Sequence, residues 1–230
     1  MLVLALDSSA IASVALAHVH SQTGEIEILS RRSTSDTRSH AEVMAPFVAE
    51  TLEEAGVQPG QIKAIVCGTG PGPFTGLRAG IVTARTLGFA WGIPVFGLMS
   101  LYALAEYVYQ DALRAGNSEF LVASDARRKE IYSAEFELEN RGYSLISGPA
   151  VGSASDAGKL PAYGIGAGLF AEDVNLVEGF GNLQPDAEYL LKAAARLGIT
   201  HLSTDTSALY LRESDAKVPA TRKKSSGGKK

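Results

Sequence analysis

The chain reads as an α/β protein built from two related halves, and three observations predict it. Three short runs rich in branched apolar residues open the chain, with turn residues between them, as in an antiparallel meander. Ile62–Ile93 then reads as strand, glycine-rich turn and helix. After one more strand and helix, residues 119–138 give strand, charged turn and strand, the start of a looser second copy.

The opening strands are LVLALD at 2–7, IASVALAHV at 11–19 and EIEILSR at 25–31, with turns at Ser8–Ala10 and Ser21–Gly24. Asp7 ends the first strand facing the first turn. A carboxylate there, beside Ser8 and Ser9, suits a hydrated Mg²⁺ next to a nucleotide. It equally suits an Asx-type hydrogen bond that closes the turn. Ser39-His40-Ala41-Glu42 fits a capping box, so a helix is expected from there to Ala55, stopped by Gly56. Val43, Met44, Phe47, Val48 and Leu52 make its apolar face. His40 has Met44 at i+4 where a metal pair needs a second ligand, so it reads as a surface or packing residue.

The central stretch is IKAIVCGTGPGPFTGLRAGIVTARTLGFAWGI. Ile62–Cys67 is a buried strand, Gly68–Gly72 a turn, and Thr75–Trp91 a helix closed by Gly92 with Pro94 beyond. Strand, glycine turn and helix N-terminus together make many phosphate sites. Here Gly76 is followed by Leu77 and Arg78 rather than Lys and Ser/Thr, and Pro73 stands where a dinucleotide fingerprint needs glycine. Pro71 and Pro73 also lack N–H donors. Gly70 and Gly72 therefore carry two readings, a structural turn and residual anion binding. In the helix, Gly76, Gly80, Ala84 and Gly88 recur every four residues and lay small side chains along one face. Each glycine costs on the order of 1 kcal/mol against alanine. Something must approach that backbone closely, either the chain's own sheet and helices or another subunit.

Val95–Leu98 is a short strand, and Ser100 caps a helix that runs to Ala115 before Gly116. EFLVAS at 119–124 and EIYSAEFEL at 130–138 are strands joined by the charged Asp125–Glu130 connection. Residues 140–168 are rich in Gly, Ser, Ala and Pro, with one short strand expected near Ala162–Ile165. A last helix is expected from Pro185 to Leu197, before Gly198.

Composition narrows the function. With 46% apolar and 20% charged residues, the chain is an ordinary globular protein. One cysteine excludes an internal disulfide framework and a cysteine-rich zinc site, and Cys67 reads as a small buried hydrophobe. No apolar run reaches a membrane span and no leader pattern stands at the start, so a cytoplasmic protein is expected. The net charge of −4 conceals a basic end: six of the 21 Lys and Arg lie in 217–230, where no acid occurs. An acidic body is a poor general nucleic-acid surface, and the tail suits either loose RNA contact or plain solvation. No G-x-S-x-G or H-E-x-x-H occurs, no two histidines fall at i, i+4, and His18 and His20 lack a neighbouring carboxylate. Catalytic residues and a resident metal are therefore expected to be absent.

ALDSSAIASVALA, SHAEVMAP, GTGPGPFTGLRAGIVTARTLG, DARRKEIYSAEF and LYLRESDA, in that order, resemble the TsaB (YeaZ) family over roughly residues 1–216. Pro73 departs from the family's usual serine, whereas Tyr210, Leu211, Arg212, Asp215 and Ala216 match its ending. The resemblance implies an actin/sugar kinase/Hsp70-like (ASKHA) fold with two lobes of one topology, here 1–103 and 104–216, followed by a basic tail at 217–230. It implies a non-catalytic role beside TsaD, which transfers threonylcarbamoyl to N6 of adenosine 37 in tRNAs reading codons that start with A. It implies TsaE, an ATPase, as a further partner, a homodimer when TsaD is absent, tRNA reached through the complex, and ATP with Mg²⁺ used by the complex and not held by this chain. TsaD-like enzymes carry a metal-binding H-L-E-G-H where this chain has Ser100-Leu101-Tyr102-Ala103-Leu104. The resemblance also implies that helices 40–55 and 76–91 form the partner interface, with Met44, Phe47, Val48, Gly76, Gly80, Ala84 and Gly88 on it. The rival expectation is an enzyme in its own right, an ASKHA-type ATPase or kinase or an M22-like metallopeptidase.

Overall fold

A computed structural model describes residues 1–20, 25–35, 40–140 and 142–212. The turn expected at Ser21–Gly24, the cap at Ser39, Asp215, Ala216 and the basic tail lie outside the described residues. The first half runs β1 (Leu2–Asp7), β2 (Ser13–Val19), β3 (Ile26–Ser33), α1 (His40–Ala55), β4 (Ile62–Gly68), α2 (Phe74–Trp91), β5 (Val95–Leu98) and α3 (Leu101–Arg114). The second runs β6 (Glu119–Asp125), β7 (Ile131–Glu139), β8 (Gly142–Gly152), β9 (Pro161–Tyr163), α4 (Ile165–Leu169), β10 (Asn175–Leu176) and α5 (Ala187–Leu197).

The two sheets repeat one topology. The first is ordered β3-β2-β1-β4-β5, and the second, read in the same sense, β8-β7-β6-β9-β10. In each, three antiparallel strands form a meander and two parallel strands extend it from the first strand. The expected ASKHA fold with two lobes of the same topology is what the chain forms.

Strand periodicity places the core. Leu4, Leu6, Val14, Leu16, Ile65 and Cys67 point to one face of the first sheet, where Met44 and Leu52 of α1 and Leu77 and Ile81 of α2 cover them. Val3, Ala5, Ala17 and Val66 point to the other face, against Leu190, Leu191 and Ala194 of α5. Phe120, Val122, Phe136 and Tyr163 of the second sheet pack on Leu104, Ala105 and Val108 of α3. The helix following the first sheet thus packs on the second, and α5 packs back on the first. Facing each other, α3 and α5 are joined by a two-pronged ion pair, Arg196 Nε and Nη2 donating to Glu106 at 2.8 and 2.6 Å.

Residues 140–168 depart from expectation. They hold the 11-residue strand β8, antiparallel to β7, where the composition suggested irregular chain. As an edge strand with much of its length exposed, β8 needs no apolar alternation, and it tolerates Pro149. The short strand lies at Pro161–Tyr163 rather than 162–165, where α4 begins, and β10 was not anticipated. The last helix starts at Ala187, two residues after Pro185, because the Asp186 carboxylate accepts from the Glu188 N–H at 2.8 Å and caps it. Ser100 occupies the N-cap of α3 but caps nothing; its hydroxyl is used elsewhere.

The glycine stripe of α2 turns inward. A Cβ at Gly76 would stand 2.9 Å from the Ser8 carbonyl oxygen, at Gly80 2.4 Å from Ser8 Oγ, and at Gly88 2.2 Å from Val95 Cγ2. Ala84 lies in the same core as α1. Ser8 Oγ donates to the Gly76 carbonyl at 2.7 Å and accepts from the Gly80 N–H at 3.0 Å, pinning the β1–β2 turn to the helix. Gly80→Leu is therefore expected to damage the fold. Leucine restores about 1 kcal/mol of helix propensity, but overpacking of about 1–3 kcal/mol and the loss of both Ser8 bonds outweigh it. A thermal melt should show Tm lowered by several degrees, and an unchanged Tm would refute the inward placement.

Candidate functional site

β1 and β4 run parallel side by side, and their C-terminal ends bring Asp7 next to Gly68. The Asp7 side chain is fully buried. Its Oδ1 accepts from the Ser9 N–H at 2.8 Å and the Ser9 hydroxyl at 2.7 Å, and its Oδ2 accepts from the Ser100 hydroxyl at 2.5 Å. Ser100 Oγ in turn accepts from the Gly70 N–H at 3.0 Å, while the Gly70 carbonyl accepts from the Ser100 N–H at 2.7 Å. Only glycine fits at 68, since a Cβ there would fall 1.8 Å from Asp7 Oδ2. Gly72 lies under Ser9, where a Cβ would come within 2.3 Å of the Ser9 carbonyl oxygen. Gly70 has φ +92 and a backbone that other residues rarely adopt.

Asp7, Ser9, Gly70 and Gly72, read from the sequence as two separate candidate features, are thus brought together, but around each other. Burial raises the Asp7 carboxyl above the ordinary aspartate range, and the hydrogen bonds from Ser100 and Ser9 pull it partly back. A Mg²⁺-binding carboxylate needs open lone pairs toward water or phosphate. Here the lone pairs face Ser9 and Ser100, which is the turn-closing role extended across two strands and a helix. Sequence reasoning missed Gly68 and the partnership of Ser100 with Asp7. The signal present was a glycine ending an otherwise branched strand.

His40, also buried, places Nε2 3.2 Å from the Ala10 carbonyl oxygen and lies against Gly76, a packing role. His18 and His20 contact each other, Nδ1 to Nε2 at 3.3 Å. Cys67 is buried in the first core and burial pushes its thiol well up. Leu104 is a core residue packed on the second sheet. Among the described residues, no three His, Cys, Asp or Glu side chains converge as metal ligands, and no helix is long and apolar enough to cross a membrane.

A second feature lies on the outside of α1 and α2. Their ridges leave a groove of about 540 Å³ lined by Ala45, Ala49, Leu52, Leu87 and Trp91. On the solvent side of α2, Val82 is 60% and Phe89 91% exposed. Of the expected interface residues, Phe47 is half-buried and Val48 lines the groove, whereas Met44, Gly76, Gly80, Ala84 and Gly88 are covered by the chain itself.

Comparison with known proteins follows the same lines. The family model described as TsaD, tRNA N6-adenosine threonylcarbamoyltransferase, matches residues 27–178. An uncharacterized protein of Mycobacterium tuberculosis is 40% identical over 152 residues, 64% of this chain and 66% of that protein, just under two thirds of its length. The tRNA threonylcarbamoyladenosine biosynthesis protein TsaB of Escherichia coli is 33% identical over 105 residues, 46% of this chain and 44% of that protein. A Pseudomonas aeruginosa crystal structure, described as similar to peptidase YEAZ, superposes with a TM-score of 0.74 at 30% identity, covering 92% of this chain and 99% of that one. With one topology in both lobes and the glycine stripe seated on the β1–β2 turn, the chain belongs to the TsaB (YeaZ) family.

Proposed function

We propose that this chain is the non-catalytic partner of a TsaD-type enzyme in threonylcarbamoylation of N6 of adenosine 37 in tRNA. The observation that carries this reading is the outward apolar pair on α2, Val82 and Phe89; the α1–α2 groove is a separate apolar surface. A phenylalanine held almost wholly in water on a helix face is a surface suited to a protein partner. Relatives named as threonylcarbamoyladenosine biosynthesis proteins support the pathway. Ser100 and Leu104, one held by Asp7 and the other in the core, support a scaffold over a metal-dependent catalyst.

In this reading the first lobe, residues 1–103, presents the partner surface, and residues 104–216 form the second lobe. The outward residues of α1 and α2 replace the glycine stripe as the contact. TsaE joins the pair with ATP and Mg²⁺, tRNA is engaged through the complex, the free chain pairs with itself through the same face, and the setting is the cytoplasm.

The test is light scattering on a size-exclusion column, with the chain alone and mixed with TsaD of the same organism. A 1:1 complex is expected. Phe89→Asp should weaken it at least about tenfold, since a charge is forced into an apolar contact, while leaving Tm unchanged because the side chain is already in water. Absence of association by the folded chain, with TsaE and nucleotide also supplied, would overturn the proposal and turn attention to Mg-ATP titration of the chain alone.

A further inference from the structure

We infer that the His18–His20 pair binds a divalent transition-metal cation of the zinc class through Nδ1 of His18 and Nε2 of His20, with water on its other positions and Glu27 opposite as counter-charge. The site lies at the opposite end of β2 from Ser13, the register partner of Asp7, and so stands apart from the Asp7 cluster.

Strand alternation builds the pair. Val14 and Leu16 point into the core that α1 and α2 cover, and Ala15, Ala17 and Val19 into the opposite one. His18 and His20 therefore continue the Val14–Leu16 face, and there the strand leaves the core: His18 is half-buried and His20 exposed. Alternate residues of one strand stand about 6.5 Å apart, so two imidazoles so placed meet only by turning toward each other. These do. Nδ1 of His18 lies 3.3 Å from Nε2 of His20, with ring centroids 4.6 Å apart and the planes inclined at 76°.

That separation is the bite of a tetrahedral metal. Metal–nitrogen bonds of about 2.0–2.1 Å at the tetrahedral angle set two ligand nitrogens about 3.3–3.4 Å apart. In the pair, a proton on one of these nitrogens bridges to the lone pair of the other. A cation takes its place, and the proton moves through solvent to the other nitrogen of the same ring, so that two neutral imidazoles each present a lone pair. Imidazole suits Zn²⁺, Ni²⁺ and Cu²⁺, and the tetrahedral spacing favours Zn²⁺; Mg²⁺ and Ca²⁺ take oxygen ligands. Strand pairing supplies the carboxylate that the sequence around the histidines lacks. Glu27, exposed on β3, is the register partner of His18. Directly opposed residues carry their side chains on one face, with Cβ atoms about 4.5–5.5 Å apart, a range at which a carboxylate accepts from a metal-bound water. Among the described residues no third His, Cys, Asp or Glu converges on the rings. Two protein ligands thus hold the cation, an open and exchangeable site rather than a closed structural one.

The experiment uses the full, tag-free chain alone, stripped of metal by a chelator, so its outcome is independent of TsaD binding. Calorimetric titrations with zinc chloride and with magnesium chloride are paired with NMR of the imidazole signals. One Zn²⁺ per chain is expected, shifting the signals of His18 and His20 among the four histidines, and Mg²⁺ should not bind there. His18→Gln and His20→Gln should each weaken zinc binding at least about tenfold, since one of two protein ligands is lost. Glu27→Gln should weaken it by up to about tenfold, as loss of an outer carboxylate does at other metal sites; His201→Gln, exposed elsewhere, should leave it unchanged. His20 is exposed, so its variant keeps the test open if His18→Gln disturbs the fold. No zinc binding to millimolar concentration, or zinc affinity unmoved by His20→Gln, would overturn the inference. Mg²⁺ binding as tight as Zn²⁺ would overturn it too, by marking a surface of carboxylates instead.

Discussion

Asp7→Ala is expected to destabilise the fold by about 3 kcal/mol or more, whereas Asp7→Asn should stay within about 1 kcal/mol of the natural chain. Alanine strips the acceptor from three buried donors, the Ser9 N–H, the Ser9 hydroxyl and the Ser100 hydroxyl. An orphaned buried donor costs about 1–3 kcal/mol, and these three share one network, so the sum is not fully additive. For a chain of this length that is a fall in Tm of roughly 6–12 °C. Asparagine keeps the shape and the oxygen that Ser9 needs, and its amide can donate to Ser100 Oγ while the serine proton turns away. One hydrogen bond is rearranged, but no charge is buried.

The same pair of variants reads the titration of Asp7. Burial raises its carboxyl in the folded state above the ordinary value of 3.8. The folded chain therefore holds this proton to higher pH than the unfolded chain does. The group's contribution is fully present below the unfolded value and is lost as pH rises through the folded one. Stability of the natural chain minus that of Asp7→Asn, from denaturant melts at a series of pH values, should decline as pH rises from about 3.8 upward. A difference that grows with pH over that span would mean that hydrogen bonding to the carboxylate outweighs its burial.

Arg196→Met is expected to cost about 3 kcal/mol, at the low end of the range for breaking a buried pair because the arginine is partly exposed. The Glu106 carboxylate is 6% exposed and, among the described residues, keeps only the Tyr143 hydroxyl, at 2.9 Å, when the guanidinium is gone. Arg196 also donates to the Tyr109 hydroxyl at 2.7 Å and lies 4.5 Å from that ring, contacts that the methionine stem replaces only in part. Adding Glu106→Gln removes the stranded charge and should recover most of the loss, a coupling that a double-mutant cycle on thermal melts measures. If Arg196→Met were neutral, α3 and α5 would be held by their apolar faces alone. The site matters because these helices carry the packing between the lobes.

Much of the architecture was legible because periodicity reports burial. Alternation in EIYSAEFEL, the branched run of Ile62–Cys67 and the Gly92 stop of α2 each follow from local physics, and the strands and helix they predict are present. β8 was hidden because an edge strand exposed along much of its length has no apolar pattern to show. The stripe of Gly76, Gly80, Ala84 and Gly88 announced a close approach without naming its neighbour. Ser8 fills it at Gly76 and Gly80 from 68 to 72 residues away in the chain, a separation at which spacing carries no information.

By itself, then, the sequence determined the fold class, the order of most elements and the family, and it singled out Asp7, Ser9, Gly70 and Gly72 at the ends of their segments; pairing of β1 with β4 brought them together. Only the tertiary structure decided which way those groups face. Ser100 turned from a helix cap into the partner of Asp7 because α3 begins where β1 and β4 end. The glycine stripe went inward and Phe89 outward because α2 has one sheet to cover and two sides. A cleft of about 600 Å³ is lined by residues 72–74, 126–128, 132 and 210–212, which only long-range packing brings together. Hydrophobic periodicity is a property of neighbours along the chain; the direction of a hydroxyl, a glycine face or a guanidinium is set by whatever the rest of the fold places opposite it.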